Sequence, residues 1–147
     1  MCFDRASTSF QIKKINNSIE EPFPNNPPKV IFMSTGKGSY RAGPNLYSNG
    51  KVCLSLLNTW SGQTSEKWNK DTSSLILVML GIQSSILTEQ PYFNEPGYER
   101  YINTPTGKKS SESYNHSIRL FNMKSAVRDL LVNPNSYPQF KDVITEH

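Results

Sequence analysis

Two side chains in this sequence, an amide and a thiol, are spaced for acyl chemistry. Asn45 and Cys53 stand eight residues apart, with the dipeptide Asn49-Gly50 between them. Asn-Gly is the strongest short signal for a β-hairpin, because a type I′ turn needs positive φ at both central positions. A turn centred there predicts Leu46 opposite Cys53 and Asn45 opposite Leu54, with about 5 to 8 Å between the Cβ atoms of Asn45 and Cys53. The sequence therefore predicts an oxyanion donor beside a sulfur nucleophile.

The residues around this pair resemble the active-site segment of ubiquitin-conjugating enzymes. In that family a His-Pro-Asn tripeptide precedes the catalytic cysteine by this spacing, and a tryptophan follows it. Other stretches resemble the family's proline-rich loop, its central helix, and a loop typical of its very large members, the hybrid conjugating enzyme/ligases that include the giant inhibitor-of-apoptosis type. The matching stretches are 43–54 with Trp60, 21–30, 80–87 and 89–98, and the resemblance covers about residues 20 to 147.

This resemblance implies a single α/β (α+β) domain over residues 1–147, with a small antiparallel meander backed by helices and Cys53 in a shallow groove beside the central helix. It implies that Cys53 accepts ubiquitin, or a ubiquitin-like modifier, from an activating enzyme as a thioester. With a ubiquitin ligase as partner, the modifier then passes to a lysine amine of a protein substrate. Asn45 would donate its amide to the oxyanion of that step. No cofactor is implied, because the activating enzyme spends the ATP.

Four more positions have roles implied by the resemblance. Glu95 follows the central helix, where the family places an acidic residue or serine, and a carboxylate there would orient the incoming ammonium and favour its deprotonation. Trp60 and Ser61 correspond to residues beside the active site and near the loop that ligases touch. Phe23 corresponds to the loop aromatic that inserts into ligase domains. The alternatives are a solvated turn glutamate, core packing of Trp60, and a Phe23 that packs against its own strand.

Two departures from the family pattern bear on partner binding. Gly43 stands in place of the histidine, whose role in the family is structural. Upstream, only some twenty residues precede the proline-rich loop, where the family has a helix and two strands, so residues 1–20 form an atypical, N-terminally shortened segment. That helix carries much of the surface for the activating enzyme and ligases. The alternative function is therefore a non-catalytic, truncated interaction module that keeps the cysteine but is not charged.

The residues themselves also leave alternatives open. A lone cysteine is most often a small buried hydrophobic residue. An asparagine after proline is common in turns, where its side chain bonds nearby backbone, and for Asn45 that role is compatible with catalysis. A cysteine hydrolase that pairs Cys53 with His116 is a weaker hypothesis, because no third group is evident to orient the imidazole.

Composition excludes several other classes of protein. With 147 residues the chain has the length of one domain with a buried core. Its net charge of +4 is modest and its lysine pairs are isolated, so no basic stripe for nucleic acid is present. No run approaches the roughly 20 apolar residues of a membrane span. Two cysteines make no disulfide framework, and no paired Cys or His spacing predicts a metal site. We therefore expect neither nucleic acid nor a membrane as partner, and a cytoplasmic location with the nucleus left open.

Apolar spacing predicts the elements that must position these residues. We expect a strand at 8–15, a rigid proline-rich loop at 22–28, a strand at Val30–Met33 and irregular chain over 36–61. A helix capped by Asp71 or Ser73 should end near Thr88, with Gly81 marking close packing against the Cys53 segment. Residues 99–111 should form a loop, followed by a helix that Pro134 stops and a short third helix. The apolar stripes are Leu75, Val78, Met79, Ile82 and Ile86, then Leu120, Met123, Val127, Leu130 and Leu131, then Phe140, Val143 and Ile144.

Overall fold

The computed structural model describes residues 10–13 and 23–132 and shows an α/β arrangement. Strands β1 (Phe10–Lys13) and β2 (Lys29–Phe32) pair antiparallel, with Phe10 opposite Phe32. Three α-helices follow in the chain: α1 (Leu75–Gly81), α2 (Pro105–Phe121) and α3 (Arg128–Val132). A π-helical turn extends α1 and another joins α2 to α3, and four short 3₁₀ segments lie in the loops. The π-helical turns are Ile82–Ile86 and Asn122–Val127. The 3₁₀ segments are Ser55–Leu57, Thr64–Glu66, Pro91–Asn94 and Glu99–Tyr101.

Beyond β2 the sheet continues as single antiparallel bridges. Ile31 pairs with Lys51, and Leu46 pairs with Val52. The order differs from the predicted antiparallel meander, in which the Leu46 segment would lie next to β2. The segment that contains Lys51 and Val52 lies next to β2 instead, and Leu46 lies beyond it. Within the described residues these two segments form isolated bridges and not regular strands. Irregular backbone over 36–61 is thereby confirmed.

The hairpin turn differs from the predicted type I′ turn. Gly50 has a φ of +86°, whereas Asn49 is not among the positive-φ residues of the described chain. The Gly50 N–H donates to the carbonyl of Tyr47 at 3.0 Å, and the Tyr47 N–H donates to the carbonyl of Lys51 at 3.0 Å. The loop is thus Ser48–Gly50, a three-residue connection with a left-handed glycine at its end. One extra loop residue moves the pairing by one position, so the predicted register is wrong.

A hydrophobic core lies between the sheet and the helices. Its buried side chains come from β2, the hairpin, the first helical segment and α2, and they are Val30, Phe32, Ala42, Leu46, Val52, Leu57, Val78, Ile82, Ile86 and Ile118. The predicted stripe of the first helix is largely confirmed, although Met79 is 59 % exposed. Gly81 packs as predicted, because a Cβ at this position would stand 3.2 Å from Cδ2 of Leu54, the residue after Cys53.

The first helix begins one residue later than predicted. Its N-cap is Ser74, whose hydroxyl accepts a hydrogen bond from the Leu77 N–H at 3.3 Å. Ser73 instead accepts from the Asn69 N–H at 3.0 Å, which organises the preceding turn. The π-helical turn that follows α1 closes at Ile86, close to the predicted end at Thr88.

Residues 105–111, predicted as loop, form the first turns of α2. Thr104 caps the helix by accepting a hydrogen bond from the Gly107 N–H at 3.0 Å. Pro105 occupies the first helical position, where its missing N–H costs nothing. Gly107 allows the helix to start against Tyr101, whose backbone fills the place of a Cβ. The sequence Thr104-Pro105-Thr106-Gly107, which falls in the predicted loop 99–111, is therefore a helix start.

The remaining predictions on elements have mixed outcomes. The predicted stripe of the second helix is not a buried face, since Leu120, Met123 and Leu131 are exposed and Ile118 is the buried apolar residue of α2. Strand β2 lies one residue before the predicted Val30–Met33. The rest of the predicted strand 8–15, Pro134 and the predicted third helix lie outside the described residues. No helix within 10–13 and 23–132 is long and apolar enough to cross a bilayer.

Replacing Gly50 with alanine should destabilise the fold more than the same change at Gly97. Both glycines have left-handed φ, +86° and +84°, which costs an L-residue about 1 to 2 kcal/mol. At Gly50 a Cβ would also meet Ile31 Cγ2 at 2.9 Å and the Phe32 carbonyl at 3.1 Å, whereas at Gly97 nothing lies within 4 Å. Denaturant unfolding of the two variants measures the difference. Equal losses would show that close packing under the turn adds nothing.

Candidate active site

The hairpin places Asn45 directly opposite Cys53. The Cys53 N–H donates to the Asn45 carbonyl at 2.9 Å, next to the bridge between Leu46 and Val52. The prediction that Leu46 faces Cys53 and Asn45 faces Leu54 is wrong by one residue, because the hairpin loop has three residues and not two. Asn45 and Cys53 are therefore direct partners across the hairpin, whereas the predicted register allowed diagonal or adjacent positions.

The side chain of Asn45 bonds back to the same residue. Its Nδ2 donates to the Cys53 carbonyl at 3.0 Å. Its Oδ1 is buried with no hydrogen-bond partner in the described structure. In this resting arrangement Asn45 therefore acts as a backbone support, as the turn alternative proposed, although across the hairpin and not within its own turn. A side-chain amide has two N–H groups, so one donor remains after the bond to Cys53.

Cys53 itself is buried. Its side chain is 1 % exposed, which contradicts the expected position in a shallow groove. The next residue, Leu54, packs closely against Gly81 on the helix behind it. An acyl donor can reach the sulfur only if the atoms that cover it move.

Thr59 fixes the backbone on both sides of Cys53. Its hydroxyl donates to the Val52 carbonyl at 2.6 Å and accepts from the Leu54 N–H at 3.0 Å. Asn58, in the left-handed region with φ of +56°, turns the chain back so that Thr59 reaches these groups. Sequence reasoning missed Thr59, because a threonine six residues after a cysteine carries no recognised signal.

Glu95 is held near the Pro44-Asn45 turn by Arg41. The Arg41 guanidinium contacts the Glu95 carboxylate at 3.4 Å, and the two side chains are 42 % and 38 % exposed. Arg41 also donates to the carbonyls of Gly43 and Pro44, at 3.1 and 2.7 Å. Glu95 is thus a partly exposed, ion-paired residue, and its catalytic role stays a prediction. Arg41 was not predicted from the sequence, since its partners are backbone carbonyls and a residue far along the chain.

Two tyrosines beside this ion pair have raised pKa values. Burial is the main cause for Tyr114, and there the positive charge of Arg41 lowers the pKa while the negative charge of Glu95 raises it. Burial, with a smaller effect of Tyr114, raises the pKa of Tyr40 to about 12. Both phenols therefore stay neutral at physiological pH and bring no further charge to the site.

The residues expected to bind partners lie on two neighbouring loops. Phe23 packs on Trp68, with 5.8 Å between ring centroids, and the Trp68 indole N–H donates to the Pro24 carbonyl at 2.7 Å. Phe23 is therefore half-buried and packs on a residue of another loop. Trp60 is half-buried, whereas Ser61 is exposed and accepts a hydrogen bond from Ser55 through its carbonyl, at 3.3 Å. Trp68 packs against the core, as predicted.

The described residues contain no group of three or more side chains that could hold a metal ion. His116 is exposed on α2, whereas Cys53 is buried, and no hydrogen bond between them is present in the described chain. The cysteine hydrolase hypothesis therefore receives no support from the geometry.

The described structure thus has a buried cysteine faced by a side-chain amide across an irregular antiparallel hairpin, with a helix packed against the neighbouring Leu54. The sequence model of the ubiquitin-conjugating enzyme family matches residues 8–122, and the chain belongs to this family. The resemblance stated from the motifs is thereby confirmed.

Proteins with similar sequences are also named as ubiquitin-conjugating enzymes. Over 127 residues, 86 % of this chain, the sequence is 50 % identical to the dual E2 ubiquitin-conjugating enzyme/E3 ubiquitin-protein ligase BIRC6 of Homo sapiens. It is 46 % identical over 125 residues to probable ubiquitin-conjugating enzyme protein 17 of Caenorhabditis elegans, and 42 % identical over 125 residues to probable ubiquitin-conjugating enzyme E2 24 of Arabidopsis thaliana, each covering 85 % of this chain. The matched region spans only 3 %, 17 % and 13 % of those proteins.

Removing the hydroxyl of Thr59 should loosen the cysteine segment. Thr59→Val leaves the Leu54 N–H and the Val52 carbonyl without their partner, which typically costs about 1 to 3 kcal/mol. Thr59→Ser keeps the hydroxyl and loses one methyl group, for about 1 kcal/mol or less. Denaturant unfolding of both variants compares the two losses. A valine variant as stable as the serine variant would show that the hydrogen bonds around Cys53 do not hold the segment.

Proposed function

We propose that this domain accepts ubiquitin, or a ubiquitin-like modifier, from an activating enzyme as a thioester of Cys53 and transfers it to a lysine amine. The observation that supports this most is the reciprocal pairing of Asn45 and Cys53, which fixes an amide donor beside the sulfur. Family membership over residues 8–122 supports the same reaction. A ubiquitin ligase and protein substrates complete the partners, and ATP is spent by the activating enzyme.

In the first step the Cys53 thiolate attacks the thioester carbonyl on the activating enzyme. A new C–S bond forms, the bond to the other sulfur breaks, and that enzyme's thiolate leaves. One thioester replaces another, so the step needs little driving force and no neighbouring histidine base, because a thiol is intrinsically nucleophilic. The structural demand is access, since Cys53 is 1 % exposed at rest.

In the second step a neutral lysine amine attacks the same carbonyl. A tetrahedral oxyanion forms, an amide bond is made, and the Cys53 thiolate leaves. The second N–H of Asn45 is the donor for this oxyanion, while its first N–H stays on the Cys53 carbonyl at 3.0 Å. Glu95 orients the incoming ammonium and accepts the proton that the amine must lose.

We assign ligase contact to Phe23, Trp60 and Ser61 on the strength of their loops. Phe23 and Trp68 join the loop at 23–28 to the loop that follows Trp60. Of the three residues only Ser61 is exposed at rest. A ligase would therefore meet an exposed Ser61 beside the half-buried rings of Phe23 and Trp60.

A second candidate function is that of a non-catalytic interaction module. The observation that favours it is the burial of Cys53, which is the usual state of a structural cysteine. The two functions make opposite predictions for a charging assay, because a module whose thiol stays covered cannot form a thioester.

Charging should occur on Cys53. Incubation with activating enzyme, ubiquitin and ATP is expected to give a thiol-sensitive band one ubiquitin larger on a non-reducing gel. Cys53→Ser should give a thiol-resistant oxyester, because an oxygen ester is a poorer acyl donor than a thioester. Cys2→Ala is the matched control and should charge normally. Charging lost in Cys2→Ala but kept in Cys53→Ala would overturn the assignment, and no charging in any variant would favour the interaction module.

Replacing Asn45 with alanine should separate the two steps. Oxyanion stabilisation worth about 3 kcal/mol corresponds to a lysine discharge roughly a hundredfold slower. Charging should stay within a few fold, because it exchanges one thiolate for another. The lost bond to the Cys53 carbonyl should cost about 1 kcal/mol of stability. Charging rate, lysine discharge rate and melting temperature are measured on the one variant. Equal losses in both rates with a lower melting temperature would leave Asn45 as a structural residue only.

A further inference from the structure

The guanidinium of Arg41 joins two parts of the candidate site that are far apart in sequence. Its Nε donates to the Gly43 carbonyl at 3.1 Å, and one terminal nitrogen donates to the Pro44 carbonyl at 2.7 Å. The same terminal nitrogen contacts the Glu95 carboxylate at 3.4 Å, across 54 residues of chain. One side chain thus touches both the segment that leads into Asn45 and the acidic residue of the site.

The orientation of this guanidinium is fixed from a second direction. It lies over the ring of Tyr47 at 4.4 Å from the centroid. Tyr47 is in turn held by the hairpin, since its N–H donates to the Lys51 carbonyl at 3.0 Å. A planar group with donors in a fixed fork suits this arrangement, whereas a lysine ammonium is a point charge on a flexible stem.

The ion pair itself adds little stability. Arg41 and Glu95 are 42 % and 38 % exposed, and exposed pairs typically contribute about 0 to 1 kcal/mol. The ion pair therefore matters for the positions of its two side chains and not for the stability of the fold. Both charges also act on the pKa of the half-buried Tyr114, which packs against the core, so the pair lies at the edge of the core.

We propose that Arg41 is a positioning residue for acyl transfer, which aims Asn45 through the Gly43 and Pro44 carbonyls and holds the Glu95 carboxylate toward the same place. This inference rests on the proposed function. It assigns no new chemical step, since Arg41 reaches the reaction only through Asn45 and Glu95.

The test starts from protein that already carries the modifier as a Cys53 thioester. It measures transfer of the modifier from Cys53 to two acceptors. Lysine needs its ammonium oriented and deprotonated, whereas hydroxylamine is mostly uncharged at neutral pH and needs only the oxyanion donor. The variants are Arg41→Ala, Arg41→Lys, Glu95→Gln and the double variant Arg41→Ala with Glu95→Gln. Arg100→Ala is the matched control, because it removes an equal charge that also lies over a tyrosine ring, at 4.8 Å from the Tyr101 centroid.

Arg41→Ala is expected to slow lysine discharge about tenfold and hydroxylamine discharge about threefold, with charging within twofold of wild type and Arg100→Ala unchanged. In the Glu95→Gln background, loss of Arg41 should slow lysine discharge only threefold, because the effect through Glu95 is already gone. Arg41→Lys keeps the charge and the stem, so it should fold normally and still discharge lysine several-fold slower than wild type.

Three outcomes would overturn the inference. They are Arg41→Ala discharging as fast as Arg100→Ala, Arg41→Lys discharging as fast as wild type, and charging and discharge falling together. A wild-type chain that forms no Cys53 thioester would refute the proposed function and this inference with it. Normal wild-type charging with unaffected Arg41 variants would refute the inference alone.

Discussion

The reciprocal hydrogen bonding of Asn45 and Cys53 is the constraint on which the rest of the site depends. The Cys53 N–H donates to the Asn45 carbonyl, and the Asn45 side-chain amide donates back to the Cys53 carbonyl. The remaining features act on this pair from different sides. The left-handed Gly50 sets its register, and Thr59 fixes the backbone on both sides of the cysteine. Because the bonds are between main chain and short side chains, a shift of one residue would separate amide and thiol.

The candidate site depends more on the placement of its groups than on acids or bases with shifted pKa values. The nearby phenols are kept neutral by burial, and no histidine bonds to the sulfur in the described structure. The charges of Arg41 and Glu95 face each other. Such a site suits an exchange between two thioesters of similar energy, where holding the reacting groups in place supplies most of the catalysis.

The sequence predicts the members of the site better than their arrangement. Asn45 and Cys53 could be recognised because a glycine turn and a family motif act together, and Gly81 because a glycine inside an apolar stripe indicates close packing. The register could not, since Asn-Gly suits two hairpin loops and only Gly50 takes the left-handed conformation. The start of α2 was missed because Thr104 and Pro105 serve equally in turns and as a helix cap. Arg41 and Thr59 bond mainly to backbone carbonyls and amides, and sequence does not record which backbone groups come near.

The burial of Cys53 also limits which molecules can meet the sulfur. Sulfenic acid formation and mixed disulfides with glutathione need an accessible thiolate. A residue that is 1 % exposed presents almost no surface to these small reagents. Oxidation of the thiol therefore requires the fold around it to open, and its rate depends on the open fraction as well as on the oxidant concentration.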